Sequence, residues 1–205
     1  MNKILIILGL SLSLLITSAM SLDSSTRSLL LSLHNKERAY VGIKDLSWDS
    51  SLESSAQEWA DFLALNNKFY HSGEPVGENL ASASDRSNVV SYMFSLWSGE
   101  KRSFSNAKPY PNVSTDGGMV GHYTQIIWGR TYAVGCGVGA QGGVNYLVCQ
   151  YKLSGNYIGN YVYYPGDVIR TPTGGSRLLT AAAPEKKQGN KRRNIRGAGR
   201  KGKGK

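Results

Sequence analysis

Two successive glycines, Gly142 and Gly143, separate two runs of β-forming and small residues at 133–140 and 144–152. Adjacent positions that both tolerate positive φ are what a two-residue hairpin turn requires, so the pair predicts an antiparallel hairpin. Cys136 and Cys149, the two cysteines of the chain, stand six residues either side of that turn and face one another across it. Opposed residues of an antiparallel pair are close enough to bridge. In an oxidising compartment the two thiols are predicted to pair, and closing so short a loop contributes about 3 kcal/mol in the chain-entropy model. The alternative is two buried free thiols behaving as small apolar side chains.

The first residues speak to the compartment. Asn2 and Lys3 precede an apolar stretch at 4–16, followed by Thr17, Ser18, Ala19, Met20 and Ser21. A basic start, a short apolar core and small residues at Ala19 and Ser21 form the layout of a secretory signal peptide, with cleavage expected after Ser21. The same stretch left uncleaved would act as an anchor, although it is short for a membrane span. A secreted, extracellular protein follows, and export favours the disulfide.

The far end differs in composition. From Pro184 to Lys205 there are ten Lys or Arg against Glu185 alone, so a net +9 of the chain's +10 is concentrated there. Apolar periodicity fades after Tyr164, and Pro165, Pro172, Gly174 and Gly175 precede the basic run. Such a segment cannot bury a core. The predicted organisation is a signal peptide at 1–21, one domain at 22–165 and a disordered basic tail at 166–205.

Helical stripes fill the rest of the domain. Leu29, Leu30 and Leu33 follow the possible caps Asp23 and Ser24 and predict a first helix carrying His34, Asn35 and Arg38. Ser50 and Glu53 have capping-box spacing, and Leu52, Ala56, Trp59, Ala60 and Leu63 recur at helical intervals until Asn66 and Asn67. Val89, Val90, Met93, Phe94 and Trp97 give a third helix starting near Asp85. Trp48, Trp59, Trp97 and Trp128 are read as core, and His34 and Arg38 as polar residues that pin neighbouring loops. Helices combined with an antiparallel hairpin argue for an α+β domain. A long loop at 103–118 contains the acceptor triplet Asn112-Val113-Ser114, which makes Asn112 a candidate glycosylation site.

Several motifs then fall in one order. Gly121-His122-Tyr123-Thr124-Gln125-Ile126-Ile127-Trp128 is followed by Tyr146-Leu147-Val148-Cys149-Gln150-Tyr151 and Gly155-Asn156-Tyr157. His34-Asn35-x-x-Arg38, Leu46-x-Trp48-Asp49 and Gly77-Glu78-Asn79-Leu80 precede them. The chain resembles the CAP superfamily of cysteine-rich secretory proteins, antigen 5 and plant pathogenesis-related proteins. Within it, the SCP domains of plant pathogenesis-related class 1 and fungal sterol-binding proteins are closest in style. The resemblance implies a three-layer α-β-α sandwich with a central antiparallel sheet. It also implies a cleft tetrad, here His71, Glu78, Glu100 and His122.

Two histidines and two carboxylates are a plausible ligand set for a divalent ion, zinc or magnesium, that would be dispensable for the fold. Binding by such a set weakens as the imidazoles protonate below about pH 6.5. The alternative is that the four side chains hydrogen-bond one another and hold loops without metal.

The resemblance further implies a non-enzymatic binder of sterols or fatty acids, acting outside the cell in defence or host interaction. The matching apolar loop offers Phe104, Pro109, Tyr110, Pro111, Val113 and Met119. A metal-dependent, protease-like hydrolase is the alternative, but no His-Glu-x-x-His helix or Gly-x-Ser-x-Gly elbow occurs. The basic tail is suited to anionic membranes or cell-wall polysaccharide. No signature of specific nucleic-acid readout accompanies it. The chain departs from the family in having one possible disulfide where many relatives have three. Leu153 and the lack of a Pro before Gly155-Asn156 also set it apart from plant members that release a C-terminal defence peptide.

Overall fold

A computed structural model describes residues 22–171 and Thr173. The expected signal peptide at 1–21 and the basic residues from Pro184 onward lie outside the described residues. Among the described residues, no helix is long and apolar enough to cross a membrane.

The hairpin forms as the glycine pair predicts. Strands β3 (Ala133–Gln141) and β4 (Val144–Lys152) pair antiparallel, Gly142 and Gly143 take φ of 58° and 77°, and Cys136 opposes Cys149 in a disulfide. Strand β2 (Gly77–Ser84) adds antiparallel to β4, and the two-residue β1 (Ser47–Trp48) adds parallel to β3. The order is β1-β3-β4-β2. The central sheet is therefore antiparallel apart from its shortest edge.

Helix α2 (Ser50–Asn66) covers one face, and α1 (Ser24–Val41), α3 (Val89–Ser98) and α4 (Gly121–Ile126) cover the other. The three layers enclose two apolar clusters. Leu80, Tyr146 and Val148 meet Ala56, Ala60 and Leu63 beneath α2. The larger cluster joins Leu30, Met93, Phe94, Trp97 and Tyr123 to Leu147, Cys149 and Tyr151 on the opposite face.

Helix ends follow side-chain chemistry. Asp23 caps α1 by accepting from the Ser25 and Thr26 amides, both at 2.9 Å. Asp49, rather than Ser50, caps α2, accepting from Ser51 and Leu52 at 3.0 Å. The predicted capping box is thus replaced: Glu53 is buried and accepts from Trp48 Nε1 and Arg27, each at 2.7 Å. Helix α3 begins at Val89, not near Asp85. The Asp85 amide bonds Gly143 O at 2.9 Å and its carboxylate accepts from Asn145, so this residue is committed to the hairpin end.

The folded unit also extends beyond residue 165. Pro165–Asp167 forms a short 3-10 turn, Val168 bridges Ile43, and the amides of Ile169, Arg170 and Thr173 bond carbonyls of Gly42 and Ala39. Arg170 pairs with Asp45 and donates to Ile43 O at 2.6 Å. Residues 166–171 and Thr173 are thus docked on the end of α1, and the predicted boundary moves accordingly.

Every second residue of β3 beneath α2 is glycine: Gly135, Gly137 and Gly139. A Cβ at any of them would fall inside the backbone of α2, at Glu53, Gln57 and Ala60 respectively. The helix therefore rests on bare strand. At that distance Gln57 reaches past the end of β1 to serve the open edge of β3, donating to Val138 O at 2.8 Å and accepting from Val138 N at 3.0 Å. Gly137→Ala is expected to destabilise the protein by about 3 kcal/mol, since main chain cannot give way as a flexible side chain would. Urea unfolding measures the loss, and a midpoint matching wild type would contradict this packing.

Candidate functional site

The four predicted tetrad residues come from four segments. His71 lies on the loop after α2, Glu78 on β2, Glu100 in the 3-10 turn Gly99–Ser103 and His122 in α4. Strand alternation puts Glu78 on the α2 face of the sheet, in register with Gln150 of β4. Glu100 and His122 sit with α3 and α4 in the opposite layer, where the His122 ring stacks on Trp97 at 6.2 Å.

The tetrad divides into two His/Glu pairs. Glu78 Oε1 accepts from His71 Nδ1 at 2.8 Å and from the Ser72 amide at 2.9 Å, while Oε2 accepts from Gln150 Nε2 at 3.1 Å. Glu100 Oε1 meets His122 Nδ1 at 2.6 Å, and Oε2 accepts the His122 and Tyr123 amides, both at 3.0 Å. The glutamate side chains are 6% and 10% exposed, against 64% for His71 and 28% for His122. Each carboxylate is thus an inner anchor and each imidazole an outer group, its Nδ1 held toward the carboxylate.

This arrangement does not fit a four-ligand ion. The carboxylate oxygens are already taken by N–H donors, and among the described residues no three His, Cys, Asp or Glu side chains form a metal-holding group. The His/Glu residues instead tie the 71–72 loop to the sheet and the start of α4 to the turn after α3.

A buried polar chain connects the second pair to the core. His34 Nδ1 donates to Leu30 O at 2.7 Å, leaving Nε2 to accept from the Tyr151 hydroxyl at 2.9 Å. Asn79 Nδ2 donates to Tyr151 Oη at 3.1 Å and to His122 O at 3.0 Å. One helix turn on, Arg38 donates to the carbonyls of Lys44, Ile126, Trp128 and Thr131 at 2.6–3.0 Å. The Arg38 contacts match its loop-pinning reading, whereas His34 ties its own helix to Tyr151 of β4. Burial lowers Arg38 to about 10, which leaves it charged at neutral pH. Burial chiefly, and the Arg38 charge to a lesser extent, push His34 down to about 4 against the bond to Leu30 O.

The predicted lipid loop is placed differently from expectation. Phe104 and Val113 are buried in the larger core, at 7% and 1% exposure. Pro109 and Tyr110 are half-buried, whereas Pro111 and Met119 are exposed. The Ser105 amide bonds Val113 O at 2.8 Å, and buried Asn106 donates to Tyr163 O at 2.8 Å, so the loop closes on itself and is fastened to the C-terminal segment. Its two most apolar residues are drawn inward by that closure. Asn112 is exposed on the turn.

Two concave features escaped the sequence reading. One, of about 130 Å³, is lined by Trp128, Arg130, Leu153, Tyr157, Tyr161 and Tyr164, among others. The other, of about 210 Å³, lies between α2 and the 72–74 segment, with Gln150 in its lining. A polar glutamine amid the buried apolar run of β4 was the one available signal for the second.

An α-β-α sandwich with paired His and Glu at one sheet edge defines the class. The family model for the cysteine-rich secretory protein (CAP) family matches residues 31–151. Pathogenesis-related protein 1 of Arabidopsis thaliana is 34% identical over 134 residues, covering 65% of this chain and 80% of the relative. Scoloptoxin SSD552 of Scolopendra dehaani is 32% identical over 167 residues, covering 71% and 77%. A crystal structure of NaASP2 with Zn2+ superposes with a TM-score of 0.60 at 27% identity, over 70% of this chain and 87% of that one. The chain belongs to the cysteine-rich secretory protein family.

Two predictions follow from the polar groups. Glu100→Ala strips two amides of α4 of their acceptor and is expected to cost about 2–4 kcal/mol in urea unfolding. A loss below 0.5 kcal/mol, or roughly the size of a neutral surface change, would show that this carboxylate does not anchor the helix. His34 has its folded pKa below the unfolded value of about 6.5, so protons bind the unfolded chain more readily. The stabilisation is complete above about pH 6.5 and is lost as pH falls toward 4, by about 3 kcal/mol. The pH slope of the unfolding midpoint should be shallower in His34→Gln than in wild type over that window, and parallel slopes would refute the assignment.

Proposed function

We propose that this chain is an extracellular, non-enzymatic binding protein for a sterol or fatty acid, acting in defence or host contact. The observation that carries the reading is the aromatic cavity of about 130 Å³ under Trp128, Tyr157 and Tyr161, which has room for one end of such a lipid, the remainder lying on the surface. Leu153 in its lining is 56% exposed and extends its apolar surface outward. Tyr110 of the long loop stands edge-on to Trp128 at 6.4 Å, and its carbonyl accepts from Gly159 N at 2.8 Å. The loop is therefore fastened behind Trp128 and beside the 157–160 segment, in place of a free apolar flap.

An apolar pocket with a few polar groups orients an amphiphile. Arg130, beside Tyr164, is placed to meet a carboxylate, and Asn160 and Ser154 suit a hydroxyl. Family membership supports export, and a glycan on exposed Asn112 is compatible with it. Binding is favoured over hydrolysis because both glutamates spend their oxygens on structural N–H donors and both cysteines are in the disulfide. The structure of NaASP2 with Zn2+ concerns that protein; in this chain no step is assigned to a metal. The basic residues after Pro184 support a second contact, with anionic surfaces outside the cell.

A fluorescent sterol and cis-parinaric acid are expected to bind saturably to the purified protein. Arg130→Ala should weaken the fatty acid about tenfold while leaving the sterol nearly unchanged, because only the carboxylate loses a charged partner. Absence of saturable binding for both lipids would remove the proposal.

A further inference from the structure

The depression between α2 and the 72–74 segment is lined by two carboxylates, one amide, two aromatic rings and the hydroxyls of Ser55 and Ser72. Glu58 and Glu74 stand at its rim, Trp59 and Phe62 form a wall, and Gln150 is in the lining; neither Lys, Arg nor His contributes. Neither rim carboxylate has a hydrogen-bond or ion-pair partner among the described residues, and both residues are exposed. Trp59 and Phe62 stack at 4.9 Å, and Trp59 Nε1 is spent on Tyr70 O at 3.1 Å, so the wall presents ring carbons and π density without a free donor.

Gln150 supplies the independent observation. It is fully buried, its Nε2 donates to Glu78, and its Oε1 has no hydrogen-bond partner among the described residues. Turning the amide over would set its oxygen against the Glu78 carboxylate, so the orientation is fixed and the orphan is the acceptor. A buried amide oxygen without a donor is a cost that a ligand N–H would remove. Acceptor at the base, acids at the rim and aromatic rings at the side all select the same chemistry.

We propose that this depression binds a cationic nitrogen with N–H donors on an aliphatic stem, the end of a lysine or arginine side chain. The stem lies along Trp59 and Phe62, the charge sits between Glu58 and Glu74, and an N–H is directed toward Gln150 Oε1. This site lies apart from the aromatic cavity assigned to lipid and stands or falls separately from it. Two sources offer the same group: a basic peptide from another molecule, and the ten Lys or Arg after Pro184 of this chain.

The test titrates Nα-acetyl-lysine amide, Nα-acetyl-arginine amide and the neutral Nα-acetyl-norleucine amide into the whole chain. The NMR signals of the Trp59 indole and the Gln150 side-chain amide report binding. The same titration is run on a variant with those ten basic residues changed to Gln. Saturable shifts with the two cationic probes, absent with norleucine amide and weakened about tenfold in Glu58→Gln/Glu74→Gln, are expected. Tighter binding in the tail-neutralised chain identifies the chain's own basic residues as the occupant, and equal binding identifies an external peptide. No saturable shift in either chain, or norleucine amide matching lysine amide, would overturn the proposal. Both rim carboxylates are exposed and unpartnered, so the double variant keeps the fold that the comparison requires.

Discussion

The direct seating of α2 on the glycine face of β3 is the constraint on which most of the molecule depends. Because Gly135, Gly137 and Gly139 present no side chains, the backbone of α2 lies against the strand rather than across a layer of interdigitated residues. That closeness lets Gln57 complete the open edge of β3. It also sets the height and rotation of the next turns, so that Glu58, Trp59 and Phe62 stand over Gln150 and beside the loop that carries His71. A conventional helix-on-sheet spacing would open this region to water and leave Val138 without its partner.

The other face is organised by buried polar groups instead of close backbone approach. Arg38 carries a full charge into the core and satisfies it on carbonyls after α1 and at and beyond the end of α4, without a direct carboxylate partner among the described residues. His34, Tyr151 and Asn79 form a directional chain that fits a neutral imidazole and ends on the His122 carbonyl. Such a network holds loops in one geometry because each unmet partner would be an orphan in low dielectric. The first helix thereby fixes the segment that presents His122, although none of its own side chains is in the tetrad.

Seen in this setting, the His/Glu pairs are clamps with outward imidazoles. Glu78 joins a loop to β2 and β4, and Glu100 joins a turn to α4. Their carboxylates act as acceptors for the fold, and neither glutamate lines the aromatic cavity near Trp128 or the depression over Gln150. The two proposed sites, one for lipid and one for a cationic side chain, are lined by separate sets of residues.

Much of this was legible in the chain. The glycine pair and symmetric cysteines specified the hairpin and disulfide, apolar periodicity located the three longer helices, and the spaced motifs pointed to the family. Local rules erred where a distant partner outbid them. Glu53 was drawn from its capping role by Trp48 and Arg27, Asp85 was held by the hairpin, and Phe104 and Val113 turned inward when their loop closed. Residues 166–171 and Thr173 lack apolar periodicity, yet dock through main-chain bonds, to which such patterns are blind. Sequence by itself determined the elements and the chemical types at the site, because turn geometry, periodicity and side-chain identity are local properties. Only the tertiary structure decided that the His and Glu residues meet as two pairs and that Gln150 lacks a donor among the described residues, because hydrogen-bond partners are allotted among segments that meet only after folding.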